Sequence, residues 1–502
     1  MTSQHFVKRW HIPLIVGLWI GVSVLAAQSA GPGPQRPAGQ GTRPVTNLPL
    51  PSELPPAEAG NGDVSKLPSP PWPADAELSG EASLGRLRSQ LELPTSSVIK
   101  AILGFVALLA LAYLAGKPQV RTIEEKLGIT HLVTAGFLFV LLGLAARHPA
   151  VGILSDSVLY EISPILPLGL GWIGFAIGFR FDAHLLNRLP PNTGAAVFLA
   201  TAMPFALILG GCAIILFLSP ESLAGQPFMR DALLLGAAGA MTARSAPYVF
   251  ERESSQESVT RVARFVQLEQ VAGILGLMLV AAYFRPQDVG VAWQLPGTAW
   301  LFITMGVGTT VGMFVYATLA KINSGPQFSV VLLGSVCFAA GMASFLRLSP
   351  VAVCFIAGVL LVNFPSEWRD PVRSVLERLE RPIYFLFLTI AGALWRVNEW
   401  QGWALMAMFV VTRFLGKWLG LTLAYRQDYG ALTDDERRSL IIAPMGALSI
   451  AIAMNAQDLY SSRTVSWIVT AVIGGAIVNE LILQVLARRN RRLVPDPPVQ
   501  EI

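Results

Sequence analysis

Charge is what this sequence has least of. Of its 502 residues only 14% are Asp, Glu, Lys or Arg, where a soluble domain carries about 25%. Cysteine is scarcer. Cys212, Cys337 and Cys354 all lie in apolar runs, with no CxxC spacing and no disulfide framework. The five histidines form neither an HExxH motif nor a metal-ligating cluster, and no phosphate-cradling glycine loop is present. These absences exclude a soluble globular protein, a disulfide scaffold, and the zinc and P-loop enzyme classes. The chain reads as a non-enzyme that needs no cofactor. Its net charge of +5 calls for no nucleic-acid partner, because the Lys/Arg excess falls where membrane topology places it.

Apolar residues take the place of charge, at 53% of the chain and a mean hydropathy of +0.54. Residues 1–30 carry a basic start (Lys8, Arg9), an apolar stretch from Ile12 to Ala27 and then small residues. That pattern predicts a signal peptide or a signal anchor. Residues 31–96 hold 13 of the 35 prolines. Such a stretch cannot bury enough apolar surface to offset its ordering entropy, so a Pro-rich disordered tether is expected. A transmembrane domain over 97–488 and a basic tail over 489–502 complete the predicted organisation.

The expected fold is an all-α polytopic membrane protein of about thirteen transmembrane helices beyond the signal segment. The predicted spans are 97–116, 127–146, 162–180, 193–218, 231–249, 263–284, 297–320, 326–344, 349–364, 382–396, 401–425, 438–456 and 463–488. Apolar runs of this length suit helices crossing a core of roughly 30 Å rather than barrel strands. With the first span entering from outside, inside loops hold about 19 Lys/Arg and outside loops about 6. The bias predicts an outside tether and a cytoplasmic C-terminus in a plasma (inner) membrane. The spans divide into six, a linker and six, so the halves run in opposite senses, as inverted repeats of secondary transporters do.

Ionisable groups inside spans are costly and mark function. Span 231–249 gathers Gly236, Gly239, Thr242, Ser245 and Pro247 around Arg244. Pro247 removes a backbone donor, so a broken helix is expected, with Thr242 and Ser245 free to ligate an ion. Arg244 could alternatively snorkel to the inside face. Pro444, Gly446 and Ser449 suggest a matching break in span 438–456. Glu269, beside Gln270, lies about two turns into its span, where a carboxylate must be neutral or paired. Arg413 and Lys417, at i and i+4 on one face, imply a facing carboxylate, a polar cavity or an anionic ligand. Arg413 is the deeper; Lys417 is placed to snorkel. Gly416 and Gly420 form a small-xxx-small pair for close helix packing. Asn479 and Glu480, and more remotely Asp182, are candidates to line the pathway. Glu269 is expected to pair with Arg244 or Arg413 if it is structural, and Glu480 with Arg413.

Several segments resemble the membrane domains of monovalent cation:proton antiporters, in the branch of bacterial sodium/proton and potassium-efflux antiporters. They are LGLGWIGFAIGFRFDAHLL (Leu168–Leu186), LLLGAAGAMTARSAPYVFERE, SPVAVCFIAGVLLVNFP (Ser349–Pro365), RPIYFLFLTIAGAL, TRFLGKWLG and APMGALSIAIA, and the likeness spans roughly residues 127–488. The resemblance implies a homodimer with elevator-like alternating access, two crossed broken helices framing an ion site, and monovalent cation and proton as partners. It also implies an acidic pair whose second member carries ion and proton. Here that pair reads Glu269-Gln270, so the carboxylate stands one residue early, about 100° round the helix. Two readings follow. Glu269 serves as the carboxylate of an electroneutral one-for-one exchange. Alternatively a Glu269–Arg244 pair is locked, and the protein is a transport-inactive scaffold or sensor, or a carrier of an anionic substrate.

Overall fold

The computed structural model describes residues 136–148, 164–182, 192–218, 227–244, 256–285, 295–321, 326–364, 368–427, 432–460 and 462–493, with isolated positions 154, 158, 159 and 162. The predicted signal segment, tether and first span lie outside the described residues, as do Ser245, Pro247 and the end of the basic tail. The described helices are α1 (Phe137–Arg147), α2 (Ile165–Phe179), α3 (Thr193–Leu218), α4 (Pro227–Ala240), α5 (Gln256–Tyr283), α6 (Gly297–Leu319) and α7 (Pro326–Phe345). They continue with α8 (Pro350–Asn363), α9 (Arg369–Leu394), α10 (Trp400–Arg426), α11 (Asp434–Ile442), α12 (Ala447–Leu459) and α13 (Arg463–Leu493). No strand occurs among the described residues. Seven helical stretches there are long and apolar enough to cross a membrane, with α1, α2 and α8 shorter apolar helices.

Local chemistry sets the helix limits. Ser349 caps α8 by accepting the Ala352 N–H, and Pro350 occupies the first turn, where a missing N–H costs nothing. Thr433 and Glu436 form a capping box at the start of α11. Pro444, which cannot donate, follows the end of α11, and the chain stays non-helical until Ala447. The predicted span 438–456 is thus two helices. That break was expected, whereas span 382–396 is corrected. It is the apolar end of α9, which begins at Arg369 and carries Pro382 in its interior. The amphipathic first half of α9 extends helix across a stretch that Pro382 and its many charges had marked as loop.

The helices assemble into two groups. α3, α4, α5, α10, α11, α12 and α13 pack together, with α3 against α10 the most extensive contact; α1, α2, α6, α7, α8 and α9 form the second group. They meet along a seam where α5 packs on α6 and α8, and α12 on α2, α8 and α9. Glycine makes the closest contacts possible. A Cβ on Gly416 would stand 2.3 Å from Pro204 Cα, and one on Gly420 2.5 Å from the Leu199 carbonyl oxygen, so the predicted small-residue pair does join α10 to α3. Large apolar side chains such as Phe302, Phe338, Phe345 and Trp418 remain exposed on the rim, as suits contact with lipid.

Candidate functional site

The two interruptions come together. After α4 ends at Ala240, residues 241–243 run without helix, and the Ala243 N–H donates to the Pro444 carbonyl at 2.7 Å. Gly446 is needed here, because a Cβ on it would lie 3.0 Å from Ala243 Cα. Breaking a helix frees carbonyls that lipid cannot satisfy. Two predicted residues satisfy them. Arg413 Nη2 donates to the Met241 carbonyl at 2.9 Å, and Asn479 Nδ2 donates to the Ala443 carbonyl at 3.1 Å. Gln270 Nε2 makes a longer contact of 3.4 Å with the Thr242 carbonyl.

Glu269 on α5 faces this junction, and its partner is Lys417. The ammonium donates to Glu269 Oε1 at 2.7 Å and to Thr242 Oγ1 at 3.0 Å. The pair is sealed: Glu269 is 0% exposed and Lys417 1%. Among the described residues Glu269 Oε2 and Arg413 Nε have no hydrogen-bond partner, and the buried Ser449 hydroxyl of α12 is likewise unsatisfied. The site therefore holds one carboxylate and two cationic side chains, with spare acceptor and donor capacity.

This arrangement corrects five expectations. Glu269 binds Lys417 rather than Arg244 or Arg413. Lys417 does not snorkel; α3 and α13 cover α10, and the carboxylate holds its head inside. Arg244 reaches away from the site to Glu380, with contacts of 3.0 and 3.2 Å. Glu480 is buried but has no Lys or Arg within ion-pair distance among the described residues, so it does not pair with Arg413. Asp182 stands with the second helix group, 3.8 Å from Arg369, and not at the junction. Glu380 was missed from sequence because it sits among six other charges in the stretch from Arg369 to Arg381, a pattern that reads as a solvated surface. Only its neighbours in space distinguish it.

The end of α4 meeting the break between α11 and α12 at a buried ion pair, inside a two-group helical bundle, is an arrangement that suits an ion-coupled secondary carrier. The family model for the transmembrane sodium/hydrogen exchanger matches residues 106–489. The chain belongs to that family, whose members exchange cations for protons across the membrane. A curated relative, the ammonium/proton antiporter subunit AmhT of Alkalihalophilus pseudofirmus, is 24% identical over 338 residues, covering 62% of this chain and 80% of the relative. The sodium/proton antiporter MjNhaP1 of Methanocaldococcus jannaschii at pH 8 has a similar fold, with a TM-score of 0.56, 18% identity, and coverage of 78% of this chain and 99% of its own. A second MjNhaP1 structure, obtained by electron microscopy, gives 0.50 and 19%, covering 77% and 96%.

Proposed function

We propose that Glu269 is the exchanging carboxylate of a carrier that moves one monovalent cation, Na⁺ or K⁺, against one proton by alternating access. The observation that supports this is the 2.7 Å Glu269–Lys417 contact at the junction of both breaks, with Glu269 Oε2 left unpartnered. Lys417 occupies the place of a bound cation. An incoming ion competes with its ammonium for Glu269 and Thr242, and one proton leaves the Glu269–Lys417 pair as one cation enters. The charge of the site is then the same in both half-cycles, and exchange is electroneutral. Arg413 is a positioning residue, since it holds the end of α4 through the Met241 carbonyl.

The Lys/Arg distribution supports an inner-membrane location with the N-terminal tether outside and the C-terminus in the cytoplasm. The exposed apolar rim leaves surface for a homodimer within the bilayer. One observation favours a second reading. With Glu269, Lys417 and Arg413 ionised, the buried site carries a net positive charge, which suits an anionic substrate or a locked, transport-inactive scaffold. Proton flux from proteoliposomes after Na⁺, K⁺, Li⁺ or NH₄⁺ pulses decides between them. Cation-driven flux that is lost in E269Q supports exchange. No flux with any cation from mildly acidic to mildly alkaline pH rejects it, and flux that follows an anion gradient establishes the alternative.

A further inference from the structure

The Arg244 contact crosses the seam between the two helix groups. Arg244 follows the break of α4 in the first group, two residues beyond Thr242, whose hydroxyl holds Lys417. Glu380 lies on α9 in the second group, just before Pro382. Its Oε1 is 3.0 Å from Arg244 Nη1, and its Oε2 accepts from Arg180 Nη2 at 2.6 Å. Arg180 caps the end of α2, in the same group as Glu380, so this second pair does not cross. The other ion pairs among the described residues stay within one group, such as Lys417–Glu269, Arg230–Asp231 and Arg261–Glu436 in the first and Arg369–Asp182 in the second. Beside the Arg244 contact, Gln267 of α5 donates to the Arg180 carbonyl, again across the seam. At the opposite end of the seam a buried neutral contact crosses, from the Ser349 hydroxyl to Asn455 Oδ1 at 2.9 Å, beside contacts of Arg285 and Arg347 with the Leu346 and Asp458 carbonyls at 2.9 and 3.4 Å, in which neither arginine meets a carboxylate.

From this geometry we infer that Arg244 and Glu380 form a latch between the moving and fixed parts of the carrier, closed in the present state and opened in each transport cycle. The inference rests on the alternating-access reading. Alternating access requires the group bearing Glu269 to shift against the other. A shift of a few ångströms breaks a 3.0 Å contact, whereas Arg180–Glu380 travels intact. The latch is tied to the ion site through the three-residue segment Thr242–Arg244, so occupancy at Lys417 and Thr242 bears directly on the backbone that carries Arg244. Both side chains are partly exposed, Arg244 at 51% and Glu380 at 35%, so water can take over each charge once they part. This suits a contact that must release readily.

Weakening a latch that favours one state moves the population toward the other. R244Q, E380Q and the double variant R244Q/E380Q are each expected to shift apparent cation affinity by about two- to fivefold. The shift goes in opposite directions when measured from the two membrane faces. The double variant shifts no further than either single one, E380D keeps wild-type behaviour, and R180Q leaves the partition unchanged. A loss of structure would change both faces in the same direction.

A readout independent of transport is thiol labelling of S349C, at the other end of the seam, with Cys212, Cys337 and Cys354 replaced by Ala. A membrane-impermeant maleimide is expected to react about two- to fivefold faster in the R244Q and E380Q backgrounds but not with R180Q. Unchanged labelling and affinity, additive effects of the two substitutions, or an equal effect of R180Q would overturn the latch. Absence of wild-type flux with latch-dependent labelling would instead reject the exchange reading and leave the latch standing.

Discussion

The Glu269–Lys417 pair predicts a particular pattern of stability in a double-mutant cycle. K417M removes the ammonium and leaves a carboxylate that is 0% exposed with neither oxygen paired. Breaking a buried ion pair from one side costs about 3–5 kcal/mol, and no solvent reaches this site to reduce that figure. E269Q keeps an oxygen acceptor beside the ammonium but removes its countercharge, and a penalty of the same order applies. Removing both charges in E269Q/K417M avoids the uncompensated charge, so the double variant is expected within about 1–2 kcal/mol of the wild type. The two single penalties then fail to add by at least about 4 kcal/mol. Purified protein in detergent can be followed by its tryptophan fluorescence during thermal or denaturant unfolding, since the chain has 12 Trp. All three variants lose cation-driven proton flux, so stability and transport separate cleanly in the double variant. Additive penalties, or wild-type stability of K417M, would refute the buried pair and with it the idea of Lys417 as an internal competitor.

Other outcomes follow from single contacts. Q270D replaces an amide donor facing the Thr242 carbonyl by a group that is an acceptor when ionised, so flux falls; a gain of transport would show that Glu269 is not the exchanging carboxylate. N479A frees the Ala443 carbonyl at the second break and is expected to cost about 1–3 kcal/mol of unfolding stability, with reduced flux, while N479Q retains part of both. G416A sets a methyl 2.3 Å from the backbone of α3 and lowers stability by about 1–3 kcal/mol, read as a lower melting temperature. Glu380 gives a pH prediction. Burial by itself would raise its carboxyl, but the charges and hydrogen bonds of Arg180 and Arg244 outweigh this and hold it below the usual carboxylate range. A depressed folded-state pKa contributes stability above the unfolded value of about 4.3, lost as pH falls through the folded value. The Arg244–Glu380 contact therefore persists across neutral pH. A difference in S349C labelling between wild type and E380Q that disappears between pH 6 and 8 would contradict it.

The membrane fold was written in the residues themselves. Scarce charge and repeated apolar runs leave helices as the only way to satisfy backbone groups in lipid, so α3, α6, α7, α8 and α10 fall close to their predicted limits. Proline, glycine and hydroxyl clusters marked both interruptions, because a missing N–H or Cβ acts locally. The same local reasoning could not choose partners. Glu269 and Lys417 are 148 positions apart, and periodicity places Arg413 and Lys417 on one face without saying which of them meets the carboxylate. Tertiary packing decided that. The covering of α10 by α3 and α13 keeps Lys417 inside, while Arg413, one turn away, is directed to a broken helix end. Packing alone also separated Glu380 from the charges around it in sequence. An ion pair's worth depends on the distance and the solvent between its members, and both are properties of the assembled bundle.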